Sequence, residues 1–243
     1  MLRSLLPTTL TLLLLGVPAL TPSIATAQTQ QNDLETLLTR ASQLRGQDNA
    51  QAATLAQQAA TTARSRKDSY LLAKSLWILA QIQDDLKQYE AAQTSITEAL
   101  AIAKTNPQAA KLKSVMQISQ RITLINLARA AEGQPEKAAQ LYKQSLQVAR
   151  EIGDRTGQSL SYLGLSQTYW RQQRFNDALP EAQKAVELSQ DDPLFQVTAL
   201  MNLGRIYDDA TDFKQATQTY QQALDQGQKI ISIAPSKRPP RTI

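Results

Sequence analysis

The residues best placed for chemistry in this 243-residue chain are two copies of Leu-x-Asn-Leu-(Ala or Gly)-Arg, at Leu124–Arg129 and Leu200–Arg205. An asparagine amide offers one donor edge and one acceptor edge, which suits an unpaired peptide bond. An arginine one helical turn on can hold a carboxylate in a charge-assisted pair. The chemistry on offer is recognition. A competing reading leaves these groups solvated, with each asparagine bonding only a neighbouring helix. Turnover has little to work with. The chain has no cysteine and no histidine, which removes thiolate and imidazole catalysis, disulfides and Cys/His zinc sites. Asp84-Asp85 and Asp208-Asp209 are adjacent pairs, so on a helix their side chains diverge by about 100°. They make a poor acid/base dyad or metal site and read as solvated helix-end charges. There is no Ser-x-x-Lys motif and no glycine-rich phosphate loop. The sequence predicts no enzyme, no catalytic residue, no cofactor and no metal.

The elements that position these residues repeat. The block Leu-x-x-Leu-(Ala or Gly) begins at Leu76, Leu124, Leu160 and Leu200, spaced by 48, 36 and 40 residues. A second block, Ala with Ala or Ser seven residues on, begins at Ala52, Ala92, Ala138, Ala178 and Ala216, spaced by 40, 46, 40 and 38. An aromatic precedes it by three residues at Tyr89, Phe175 and Phe213. In the last copy Leu200, Leu203, Gly204 and Tyr207 share one helical face, as do Phe213, Ala216, Tyr220, Ala223 and Leu224. Gly204, Ala216 and Ala223 let two helix backbones approach closely. A pair this short cannot bury its apolar stripe alone, and stacked copies supply the cover.

On these blocks the chain resembles the tetratricopeptide repeat family, a helix–turn–helix unit of about 34 residues, over roughly residues 33–230. The longer period is similar to the variant of about 40 residues seen in kinesin light chains and bacterial repeat proteins. It suggests an extra helical turn between copies. The resemblance implies an all-α, right-handed solenoid of about five helix pairs, some ten helices, whose first helices line a concave groove that takes a protein or peptide segment. By the resemblance, Asn126 and Asn202 would hold the backbone of an extended peptide. Trp77, Gln81, Arg129, Tyr162 and Arg205 complete the candidate groove, together with Ile78, Ile125, Leu165 and Met201. Trp77 breaks the core face and is expected to point to the groove or to the next repeat.

Three segments are expected. Residues 1–27 read as a cleaved secretory signal: Arg3, then an apolar run from Leu5 to Leu20, then the small-x-small site Ala25-Thr26-Ala27. The run holds Pro7, Gly16 and Pro18, so no stable membrane span is expected after cleavage. Residues 28–234 form the solenoid, exported to a bacterial periplasm or secreted, and 235–243 a basic, proline-rich disordered tail. Of the net charge of +5, Arg3 carries one and Lys237, Arg238 and Arg241 three, which leaves the array close to neutral. Nucleic acid is therefore not an expected partner. Within the array, Asn32 or Asp33 is expected to cap the first helix, and Gly46 and Gly153 to stop helices. The 46-residue spacing is read as one long helix from Pro107 to Glu132, and Pro180 as a first-turn residue. Ile230, Ile231 and Ile233 offer an edge for weak self-association. An assembly or accessory subunit docking through its ends is the alternative function.

Overall fold

The computed structural model describes residues 24–131 and 133–233, with side chains over 33–131 and 133–232. The proposed signal segment lies outside the described residues as far as position 23, and the 235–243 tail lies wholly outside them. Among the described residues there are eleven helices and no strand: α1 (Ile24–Leu44), α2 (Asn49–Ser65), α3 (Ser69–Asp85), α4 (Tyr89–Thr105), α5 (Pro107–Ala110), α6 (Lys113–Ala130), α7 (Pro135–Glu151), α8 (Arg155–Arg171), α9 (Phe175–Leu188), α10 (Pro193–Asp209) and α11 (Phe213–Ile233). Apart from the single turn α5 they form five pairs.

Local chemistry sets the boundaries. Asp48, Asp68, Asp154 and Asp192 each precede a helix and accept the N–H three residues on, from Gln51, Leu71, Gly157 and Phe195 at 2.8–3.0 Å. Gly46 (φ +83°) and Gly153 (φ +69°) end helices in the left-handed region, as their type predicts. Lys67, Lys87, Gln173 and Thr211 adopt the same conformation without that advantage.

Three boundaries differ from expectation. First, α1 starts at Ile24, so Asp33 lies inside a helix instead of capping one; Ala25, Ala27, Gln28, Gln30 and Gln31 are good helix formers and supply no stop. Second, the long helix from Pro107 to Glu132 is broken. Asn106 caps α5 through the N–H groups of Gln108 and Ala109. The N–H of Leu112 then bonds back only three residues, to Ala109, and α6 starts afresh. A continuous helix of about 39 Å would overrun its 17-residue neighbours; folding back buries Ala109 completely against α3 and α4. The surplus in the 46-residue spacing is this tucked turn. Third, Pro180 sits in the interior of α9, beyond its first turn. Its missing N–H removes one intrahelical bond there, and α9 has only 14 residues.

Among the described residues each pair packs chiefly on the next. Every first helix after α1 touches the second helix of the preceding pair, and it also touches that pair's first helix (α1 with α3, α3 with α6, α6 with α8, α8 with α10). Successive second helices make no comparable contact. The second helices are therefore splayed and the first helices drawn together, which places the first helices on the inner, concave side of an α-solenoid. The core is a string of clusters at the joints: Leu34, Leu38 and Leu71 at one end, Met116, Ile96 and Leu100 next, Leu165, Tyr142 and Ile206 beyond.

Candidate functional site

The first helices each present an inner stripe: Lys74, Trp77 and Gln81 on α3, Ile122 and Arg129 on α6, and Thr198, Met201 and Arg205 on α10. On α6 the stripe Val115, Ile118 and Ile122 is about 40% exposed and ends at exposed Arg129. On α10 the stripe Leu194, Thr198, Met201 and Arg205 is exposed throughout. On α8 Ser161 and Leu165 are fully buried, and Gln167 takes the inner place that Arg205 holds on α10, each eight residues before its second helix. Ile78, Ile125 and Leu165, expected in the groove, are core residues at 8%, 4% and 1% exposure. The reason is geometric: adjacent inner-side positions differ by about 100°, and one of each pair must face the neighbouring helix.

Trp77, Gln81, Arg129 and Arg205 lie on the inner side. Asn126, Tyr162 and Asn202 are turned to the preceding pair. Asn202 is 4% exposed. Its Nδ2 donates to Ser166 Oγ on α8 at 2.8 Å, and its Oδ1 accepts from Arg205 at 3.1 Å. Asn126 Nδ2 reaches Asp84 Oδ1 on α3 at 3.5 Å. The Tyr162 hydroxyl accepts from Arg150 of α7 at 2.5 Å. Trp77 is half-buried against both flanking clusters, and its indole N–H donates to Ser119 of α6 at 2.9 Å. Gln81 accepts from Arg45, just beyond α1. Most of these side chains thus knit one pair to the next, while Arg129 faces open solvent.

Two residues that the sequence reading missed complete the site. A recess of about 350 Å³ between α6, α7 and α8 is lined by Arg129, Tyr142, Gln167 and Arg171 among others. A second, of about 320 Å³, is lined by Gln167, Thr198, Met201, Asn202 and Arg205. Gln167 joins them into a trough carrying three arginines. Arg205 stacks 4.0 Å from the centroid of Trp170, whose N–H donates to Asp209 at 2.5 Å. Gln167 and Arg171 fall outside the repeated leucine block; only their i, i+4 spacing on the inner side of α8 marks them.

Asp84 is not the solvated helix-end charge that the sequence suggested. It is half-buried between α3 and α6, accepting from Thr123 at 2.5 Å as well as from Asn126. Burial pushes its carboxyl above the usual value of 3.8, with both hydrogen bonds opposing. A group whose folded pKa is raised stabilises the fold below its unfolded value, and that stability is lost as pH rises through the folded value. Asp84→Asn keeps an acceptor for Thr123 and never ionises. Its denaturant midpoint is expected to exceed the wild type's at pH 7, with the gap closing as pH falls towards 4; equal midpoints at pH 7 would contradict the burial argument.

Three family models, each described as tetratricopeptide repeat, match residues 73–106, 119–191 and 199–229, together more than half of the chain. No curated protein matches. Among solved structures, BtubC (BKLC) from P. vanneervenii is similar at a TM-score of 0.61 and 19% identity, over 90% of this chain and 95% of that one. Aspartyl phosphate phosphatase F from Bacillus subtilis gives 0.61 and 13%, over 86% and 54%. MamA from Desulfovibrio magneticus RS-1 gives 0.51 and 16%, over 84% and 96%. At these identities the likeness is one of fold.

Proposed function

The chain belongs to the tetratricopeptide repeat family, whose members are protein-interaction scaffolds, and from that premise we propose that it binds an extended, acidic protein segment along its first helices without catalysing a reaction. The observation that carries this reading is the α6–α10 trough. Its walls combine exposed Met201 with Arg129, Arg171 and Arg205 around Gln167, and the exposed Ile118 and Ile122 stand on α6 together with Arg129. Apolar side chains of a segment would lie against the isoleucines, and its carboxylates against the guanidinium groups. The arginines take the leading role; Asn126 and Asn202 hold the trough's shape. Export is part of the same proposal. It is supported by the n-region, apolar run and Ala25-Thr26-Ala27 of the first 27 residues, and cleavage there leaves every buried α1 residue, from Leu34 on, in the mature chain.

The test is titration with a library of acidic peptides, read by Trp170 fluorescence because Arg205 lies on that ring. Arg129→Glu with Arg205→Glu is expected to weaken binding at least about tenfold, the value of one lost charge-assisted contact. Asn126→Ala is expected to lower stability and leave affinity nearly intact. Unchanged affinity in the double arginine variant would refute the trough as the site.

A further inference from the structure

The positions of the second helices expose one anomaly, at the end of the array. Eight residues after the first alanine of each second-helix block stand Ala60, Leu100, Leu146, Val186 and Leu224. The first three are 0%, 8% and 6% exposed and Val186 is half-buried, whereas Leu224 is 53% exposed. Four residues after that alanine stand Ala56, Ile96, Tyr142, Ala182 and Tyr220. The first four are buried, and Tyr220 is 38% exposed. In the interior these positions are covered by the first helix of the following pair: Leu100 shares a cluster with Met116 of α6, Leu146 with Leu165 of α8, and Val186 with Phe195 and Ala199 of α10. After α11 no such helix follows among the described residues. What remains is an open groove of about 370 Å³ lined by Val197, Met201, Tyr220, Leu224, Gln228 and Ile231, with no charged residue in its lining.

We propose that this face is covered by the same face of a second copy, giving a two-fold dimer joined at the C-terminal pairs. Three observations select that occupant. The groove lining is uncharged, so placing it against itself brings no like charges together. The other end of the array is polar: α1 presents Thr36, Thr39, Arg40 and Gln43 outward. Head-to-tail stacking would bury Arg40 against Leu224 and Ile231, and is disfavoured on that ground. The size also fits. Two neighbouring helices about 30 Å long and about 10 Å apart present a footprint of roughly 600 Å². That is slightly below the usual share per partner, which points to a dissociable dimer with a Kd on the order of micromolar.

Sedimentation velocity of the full chain from about 1 to 300 µM reads the outcome. A monomer–dimer equilibrium is expected, with Leu224→Asp and Ile231→Asp each raising the dimer Kd at least about tenfold while circular dichroism stays unchanged, since both side chains are exposed. The chain has no cysteine of its own, so Leu224→Cys provides a single labelled point. A short bismaleimide is expected to give a covalent dimer with Leu224→Cys and none with Thr39→Cys. Monomer at every concentration would overturn the proposal, including in favour of a helix from another protein. So would association that persists in Leu224→Asp, or a ladder of products from the doubly substituted Thr39→Cys/Leu224→Cys chain.

Discussion

Replacing Asp154 with alanine is expected to destabilise the array by about 3–5 kcal/mol, the range for removing one partner of a buried ion pair. Arg121 is 8% exposed on α6. Its Nε lies 2.8 Å from Asp154 Oδ2, yet the N–H makes no directed hydrogen bond, so the attraction is chiefly one of charge. The other Asp154 oxygen caps α8 through the Gly157 N–H at 2.8 Å. One carboxylate therefore neutralises a buried guanidinium and starts a helix, at the joint between the third and fourth pairs. Because an array is held by nearest-neighbour contacts, damage at one joint should uncouple the halves. Urea denaturation of Asp154→Ala is expected to split into two transitions. Asp154→Asn retains the cap, worth about 1 kcal/mol, and should fall between. Arg121→Met in the Asp154→Ala background should recover much of the loss, because the stranded charge is gone. A single transition at the wild-type midpoint would sink this account.

The same joint shows how far the sequence could be read. The helix pairs and their number follow from the five Ala-x6-(Ala or Ser) blocks, whereas the Leu-x-x-Leu blocks mark the first helices without fixing their rotation, since Gly164 meets the preceding pair and Gly204 its own. Gly153 was legible as a stop, while the capping of α8 by Asp154 emerges from the structure. The pairing of Asp154 with Arg121, 33 residues earlier, was not legible: nothing in the local pattern says which exposed-looking arginine meets it. The groove failed in the same way. A spacing of three and four places Asn126 and Arg129 near one face, but the choice between solvent and the preceding helix turns on less than one residue's rotation. That rotation is set by tertiary contacts, such as Asn202 with Ser166. The turn at α5 was also hidden, since Ala109, Leu112 and Met116 keep helical spacing whether or not the helix is continuous.

Gly164 and Gly204 end the same leucine block in successive copies, but Gly164 meets Tyr142 of the preceding pair and Gly204 meets Tyr220 of its own, and alanine is expected to act oppositely at the two. A methyl on Gly164 would stand well inside contact distance of the Tyr142 ring, which is 6% exposed between two pairs. The ring has nowhere to move, so Gly164→Ala is expected to cost about 1–3 kcal/mol through overpacking, in spite of the better helix propensity of alanine. At Gly204 the nearest atoms belong to Tyr220, 2.7 Å from the added methyl, and that ring lies at the uncovered end with 38% exposure. It can swing outward, leaving the propensity gain of about 0.8–1 kcal/mol largely intact. Denaturant midpoints measured at low micromolar concentration should therefore fall for Gly164→Ala and hold or rise for Gly204→Ala. At high concentration a displaced Tyr220 would obstruct a second copy at the C-terminal face, so Gly204→Ala should also weaken the dimer. Equal losses at both glycines would mean that the last pair is as tightly enclosed as the fourth, and that the open end has been misplaced.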